Sequence, residues 1–173
     1  MSVRGLSPRS GPMWVLGCAL MATALSAIIG VRAVTAQTAE EREVIAAVQA
    51  LFDAMAARDG QAFRAGMLPD GFLVAVGYES MSRTSRDDFA TRLPDAGFVM
   101  HERMWDPEVR SDGPVATVWA PYDFYRGIEF SHCGTDAIQL AKTLEGWKVA
   151  WMSYTVQRPP DCSTHPEGPP GND

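Results

Sequence analysis

From Thr38 to Ala57 the apolar residues Val44, Ala47, Val48, Leu51, Phe52 and Met55 recur at steps of three and four, the spacing that places them on one face of a helix. Thr38 offers an N-cap, and Glu40, Glu41 and Glu43 sit where a helix N-terminus favours negative charge. Asp59-Gly60 closes this helix, and Gln61 to Met67 predicts a short second one that breaks at Leu68-Pro69-Asp70-Gly71. Phe72 to Val76 is strand-like, and Ser85 caps a third helix running to Leu93. After Pro94 the pattern changes to aromatic and β-branched runs separated by Asp112-Gly113, Arg126-Gly127 and Glu145-Gly146. Such dipeptides mark hairpins between long strands, four of them here. Helix, helix, strand, helix and then a meander of strands predicts an α+β fold, with helices on one face of an antiparallel sheet.

If each dipeptide forms a two-residue turn, Ser111 faces Pro114, Tyr125 faces Ile128 and Leu144 faces Trp147. Directly opposed residues share a face of the sheet. One face then collects Glu102, Met104, Trp119, Asp123, Tyr125, Phe130, His132, Asp136 and Trp151, beside Ile138, Leu140, Trp147 and Val149. The other collects Trp105, Tyr122, Phe124, Cys133, Met152 and Tyr154. A single bulge would exchange parts of the two sets. On the first face Glu102 opposes Asp123, His132 lies diagonal to Asp123, and Asp136 is further along. Helix 38–57 is expected to cover this face with Val44, Val48, Leu51 and Phe52. Acids and a histidine in such an apolar concavity have shifted pKa values and can move protons on a ligand. The same groups also serve as locally satisfied structural residues, and the sequence leaves both readings open.

The chain has 173 residues with 46% apolar and 21% charged, which fits one folded domain. All 21 acidic residues follow position 36 and three arginines precede it, so residues 37–173 carry a net charge of −9. That balance argues against nucleic acid and anionic lipid as partners. Met13 to Val31 has no charged residue, follows Arg4 and Arg9, and leads to small residues before Ala36. This is the layout of a secretory signal cleaved after Ala36. An uncleaved anchor is the alternative, and would be the chain's one contact with a membrane. The expected organisation is a signal peptide at 1–36, a domain at 37–158 and a mobile Pro/Gly-rich tail at 159–173, in a periplasmic or secreted protein.

Export would leave Cys133 and Cys162, which in an oxidising compartment either pair or remain free thiols. Neighbours on a strand point to opposite faces, so His132 and Cys133 do not form a dyad. The three histidines, His101, His132 and His165, lack metal-ligand spacing. Phosphate-binding loops and nucleophile elbows are absent, so neither metal nor cofactor is expected.

The helices followed by ERMWDPEVRSDGPVATVWAPYDFYRGIEFSHCGTDAIQLAKTLEGWKVAWMSYTVQR resemble the nuclear transport factor 2-like superfamily over residues 40–158. Within it the chain is most similar to bacterial ketosteroid-isomerase-like, SnoaL-like and lumazine-binding-like members. The resemblance implies a cone-shaped α+β barrel, a curved antiparallel sheet wrapped around a long helix and two short ones. It also implies a homodimer through the outer sheet face, for which Trp105, Tyr122, Phe124 and Tyr154 are the expected surface. That cone hosts isomerases, dehydratases, hydrolases and cyclases as well as binding domains, so it does not name a function. The expected function is binding of a small apolar or aromatic molecule by Glu102, Met104, Trp119, Asp123, Tyr125, Phe130, His132, Asp136 and Trp151. The first alternative is a cofactor-free isomerase, dehydratase, cyclase or hydrolase, with Asp123 or Asp136 as base and His132 or Tyr125 stabilising an oxyanion. The second is a dimeric interaction domain without a ligand. The catalytic sets of the enzyme branches do not match this chain residue by residue.

Overall fold

Thr38 opens the first helix with a capping box: its hydroxyl accepts from the Glu41 N–H, and the Glu41 carboxylate accepts from the Thr38 N–H. The computed structural model describes Met1 and residues 37–171. Apart from Met1, the leader expected at 1–36 lies outside the described residues. Helix α1 (Ala39–Ala56) buries Val44, Val48, Leu51, Phe52 and Met55 along one stripe. Helix α2 (Gly60–Gly66) is capped by Asp59, and α3 (Arg86–Arg92) by Ser85.

The strands are β1 (Met67–Val76), β2 (Met81–Ser85), β3 (Met100–Met104), β4 (Glu108–Asp112), β5 (Val115–Arg126), β6 (Glu129–Thr143) and β7 (Gly146–Thr155). They form one curved, unclosed sheet in the order β2-β1-β7-β6-β5-β3, with β4 also on β5. Three features differ from the expectation. The sheet is mixed, because β1 runs parallel to β7. Strand β2 has no counterpart in the predicted order. The expected first long strand is two strands, β3 and β4, interrupted where Asp106 takes a positive φ of 45°. Helix α1 lies over the concave face and shares a core with Val118, Ile138, Leu140, Trp147 and Val149. Each such large side chain contributes about 1.5–3 kcal/mol when fully buried.

The turns sit one residue from their predicted places, at Gly113-Pro114, Gly127-Ile128 and Leu144-Glu145. Gly113 and Gly127 occupy the first turn position with φ of 57° and 61°, where a residue with a Cβ is strained. These shifts move the pairing by two residues and keep every side chain on its face. The faces change for another reason. Ser131 is skipped in the β5–β6 ladder, Ala150 is skipped in the β6–β7 ladder, and the break at Asp106 offsets β3 from β4. Each one-residue irregularity turns the adjoining segment over. Glu102 therefore pairs with Phe124 rather than Asp123, and His132 pairs with Phe124 from the other side. Strand β5 presents Ala116, Val118, Ala120, Tyr122 and Phe124 to the core, and Trp119, Asp123 and Tyr125 to the outside. Phe130 and Trp151 also face outward, so the single predicted face is divided between the two sides of the sheet.

Cys133 and Cys162 form a disulfide with Cα atoms 5.6 Å apart. Residues 159–171, expected as a mobile tail, run back along the outer face as a strap. The His165 N–H donates to Asp123 Oδ2 at 2.8 Å, and the Gly168 carbonyl accepts from Arg103 Nη1 at 2.7 Å. The His165 ring meets Trp105 edge-on at 5.6 Å. We expect Cys162→Ser to lose about 2–4 kcal/mol and to release the strap. Thiol labelling of the denatured, unreduced full chain checks the bond: one reactive cysteine, Cys18, is expected, against three if the bridge is absent.

Candidate functional site

Glu102 on β3 and Asp136 on β6 both point into the concave side, across β5, where the residue opposite Asp136 is the small Ala120. They are 8% and 0% exposed. Among the described residues, no N–H, hydroxyl or cation reaches Glu102 Oε1 or either Asp136 carboxyl oxygen. The two carboxyls lie close enough that a charge on Glu102 disfavours one on Asp136. Burial pushes Glu102 up to about 8. Burial and the neighbouring Glu102 charge hold Asp136 well above the usual carboxylate range. Glu102 thus keeps its proton at neutral pH, and Asp136 is biased toward its neutral form.

Beside Glu102 lies a cavity of about 70 Å³, which Asp136 does not line. Its polar lining is Glu102, His132 and Tyr154. Its apolar lining comes from Met55 of α1, Phe89 of α3, Leu73 of β1, and Met100, Phe124 and Met152 of the later strands. The His132 ring stacks on Phe124 at 4.8 Å and meets Tyr122 edge-on at 5.8 Å. Burial, then the Arg158 and Arg126 charges, lower its pKa to about 4, so the imidazole is neutral at pH 7. The Tyr154 hydroxyl is pushed up to about 12 by burial and by Glu102 and Asp136, and stays a donor. Tyr122 is a fixed wall, its hydroxyl donating to the Thr155 carbonyl at 2.8 Å. Gly134 makes room for this arrangement, since a Cβ there would sit 2.0 Å from the same carbonyl. A neutral Glu102 carboxyl, a neutral imidazole and a phenol among apolar walls suit an uncharged group that can accept hydrogen bonds, and disfavour an anion.

Of the predicted site residues, the structure brings together Glu102, His132 and Asp136. Met104 faces inward opposite Tyr122 and packs on the core without lining the cavity. Asp123 lies on the outer side, 0% exposed beneath the strap. Arg103 grips it from two nitrogens, Nε to Oδ1 at 3.0 Å and Nη2 to Oδ2 at 2.7 Å, so it cannot serve as the base of this cavity. Tyr125 and Phe130 pack edge-on at 5.3 Å on that same outer side. Trp119 and Trp151 are exposed on it. The aromatic set expected at a dimer surface is also redistributed. Tyr122, Phe124 and Tyr154 face the interior, and Trp105 lies against the strap.

The turn count missed Tyr122, Phe124, Met152 and Tyr154 as interior residues. A signal for two of them was present in VATVWAPYDFYR. Its even positions from Ala116 to Phe124, namely Ala116, Val118, Ala120, Tyr122 and Phe124, are all apolar, while Thr117 and Asp123 interrupt the odd set. Alternation over a whole strand outweighs a register counted from one turn. Among the described residues, no group of three or more His, Cys, Asp or Glu side chains is placed to hold a metal ion.

No protein-family model matches the chain, and no curated protein matches it in sequence. Solved structures do. A nuclear transport factor 2-like protein with a cystatin-like fold from Novosphingobium aromaticivorans aligns with a TM-score of 0.57 at 13% identity, over 70% of this chain and 84% of that one. A ketosteroid isomerase-like protein from Erwinia carotovora atroseptica aligns with a TM-score of 0.52 at 19% identity, over 71% of this chain and 100% of that one. The fold is nuclear transport factor 2-like. A proposed dehydratase of the nuclear transport factor 2-like family from Streptomyces avermitilis shares it, with a TM-score of 0.54 at 15% identity over 68% and 95% of the two chains. Identities this low carry the architecture alone. In this chain of nuclear transport factor 2-like fold, Glu102, Asp136, His132 and Tyr154 are polar groups of the concave side.

Proposed function

We propose that the protein is an exported binding protein that takes a small, uncharged, apolar or aromatic molecule by one polar group onto the Glu102–Asp136 pair. One observation carries this reading: three buried carboxyl oxygens, one of Glu102 and two of Asp136, have no hydrogen-bond partner among the described residues. Buried polar atoms nearly always find partners. A ligand oxygen accepting from protonated Glu102, which lines the cavity, would supply the partner missing there. The 70 Å³ cavity admits the polar end of such a molecule, and Met55, Met100 and Met152 around it are flexible side chains that can shift to admit more. Native mass spectrometry of the purified protein is expected to show a retained small molecule, and Glu102→Gln with Asp136→Asn is expected to lose it. Retention unchanged by that double substitution would place the ligand elsewhere. Export is supported by the basic, apolar and small-residue order before Gln37. N-terminal sequencing of secreted material should begin at Gln37.

The position of Glu102 near 8 favours a second reading, proton transfer. Above that pH the pair would hold one carboxylate beside one acid, able to take a proton from a bound carbonyl compound and return it. Turnover of the isomerase or dehydratase kind would then rise as pH passes 8 and vanish in Glu102→Gln.

A further inference from the structure

A recess larger than the cone cavity lies on the opposite side of the sheet. On the outer face of β4 to β7, Trp119 and Trp151 border a trench of about 510 Å³, with Thr117, Ala137, Gln139 and Ser153 between and beside them and Glu108 and Arg110 at one end. Sites for small organic ligands typically measure about 300–1,000 Å³. The trench falls in that range and the 70 Å³ cavity does not. We propose that the trench binds a short, uncharged oligosaccharide.

The argument starts from register. Trp119 pairs with Ala137, and Gln139 pairs with Trp151, so the indoles stand on β5 and β7 with β6 between them. Two strand spacings separate them by roughly 10 Å across the sheet, and the methyl of Ala137 keeps the floor between them low. Trp119 is 57% exposed and Trp151 42%, and Trp151 is steadied from behind by stacking on Phe72 at 6.2 Å. A pyranose ring has a C–H face that packs on the negative face of an indole. Its rim of hydroxyls needs donors and acceptors at the edge. The Gln139 amide and the Thr117 hydroxyl each offer both, and the Ser153 hydroxyl, which donates to the Ala137 carbonyl at 3.4 Å, still accepts. An acyl chain or a plain aromatic ligand would leave the Gln139 and Thr117 groups without a ligand partner.

Charge and size narrow the occupant further. Glu108 and Arg110 cancel, so the trench has no net charge to attract an anionic or a cationic chain. A second copy of this chain fits poorly. The strap stands on this face, anchored at Asp123 and Cys133, four residues along the strands from Trp119 and Ala137. It keeps two such sheets from lying flat on one another.

The test titrates the whole protein with three tetrasaccharides, of β-1,4-linked glucose, β-1,4-linked N-acetylglucosamine and α-1,4-linked glucose, read by calorimetry and tryptophan fluorescence. At least one is expected to bind saturably. Trp119→Ala and Trp151→Ala should each weaken it about tenfold. Gln139→Ala should weaken it less, and Glu102→Gln in the cone should not change it. Thermal melts of Trp119→Ala, whose side chain is mostly exposed, separate lost binding from lost folding. Failure of all three sugars to bind at millimolar concentration overturns the proposal, as does binding unchanged in both tryptophan variants. Sedimentation showing a dimer that Trp119→Ala dissociates assigns the trench to a second copy and overturns it too.

Discussion

Glu102→Gln will melt several degrees above the native protein at pH 8 and close to it at pH 5. Burial holds this carboxyl up to about 8 in the folded chain, whereas an unfolded glutamate titrates near ~4.3. Between those values the unfolded chain has released a proton that the folded chain retains. Native stability is therefore highest below the unfolded pKa, falls as pH rises toward 8, and levels off beyond. Glutamine cannot ionise, so the fall disappears. One pKa unit corresponds to about 1.4 kcal/mol, which makes the loss on the order of a few kcal/mol and several degrees of melting temperature. Asp136→Asn should act in the same direction, because that carboxyl is also raised by burial. Calorimetric melts across pH 5 to 8 decide the matter. Equal slopes in native protein and Glu102→Gln would show that the pair is ionised in the folded state.

Arg103→Met will lower stability by about 3–5 kcal/mol, the usual result of leaving a buried charge without its partner. Asp123 is fully buried, and Arg103 supplies two of its hydrogen bonds, the third coming from the His165 N–H. The substitution also removes the Gly168 anchor, so the strap should loosen and exchange its amides faster. Adding Asp123→Leu to Arg103→Met should recover much of the loss, since a buried apolar pair often replaces a buried ion pair without penalty. Urea unfolding of the three proteins measures both effects. An Arg103→Met midpoint equal to the native one would remove the pair from the account of stability. Read from sequence alone, Asp123→Asn should abolish any turnover and spare the fold. With Asp123 outside the cone, the expectation reverses: the fold weakens and the cavity is untouched.

What was legible in the sequence is what neighbours along the chain determine. Thr38 with Glu41, Asp59 and Ser85 cap the helices through bonds spanning two or three residues. The apolar stripe from Val44 to Met55 is buried as a stripe. The glycines at 113, 127 and 146 sit at or beside turns with positive φ. Cys133 and Cys162 were visible as a pair that could close. Tertiary structure decided which side of the sheet each strand residue occupies. Skipping Ser131 or Ala150 in a ladder leaves no mark on composition, yet each exchanges inside for outside along the rest of the pairing. So Glu102 meets Asp136 across β5 instead of Asp123 beside it. The same holds for β1, whose partner β7 lies about 80 residues on, and for the strap. PPDCSTHPEGPPGND has the composition of a mobile tail. Its residues 159–171 are held by Arg103, Asp123 and Cys133, groups that local pattern cannot connect to them because only the folded sheet brings them within hydrogen-bonding or covalent reach.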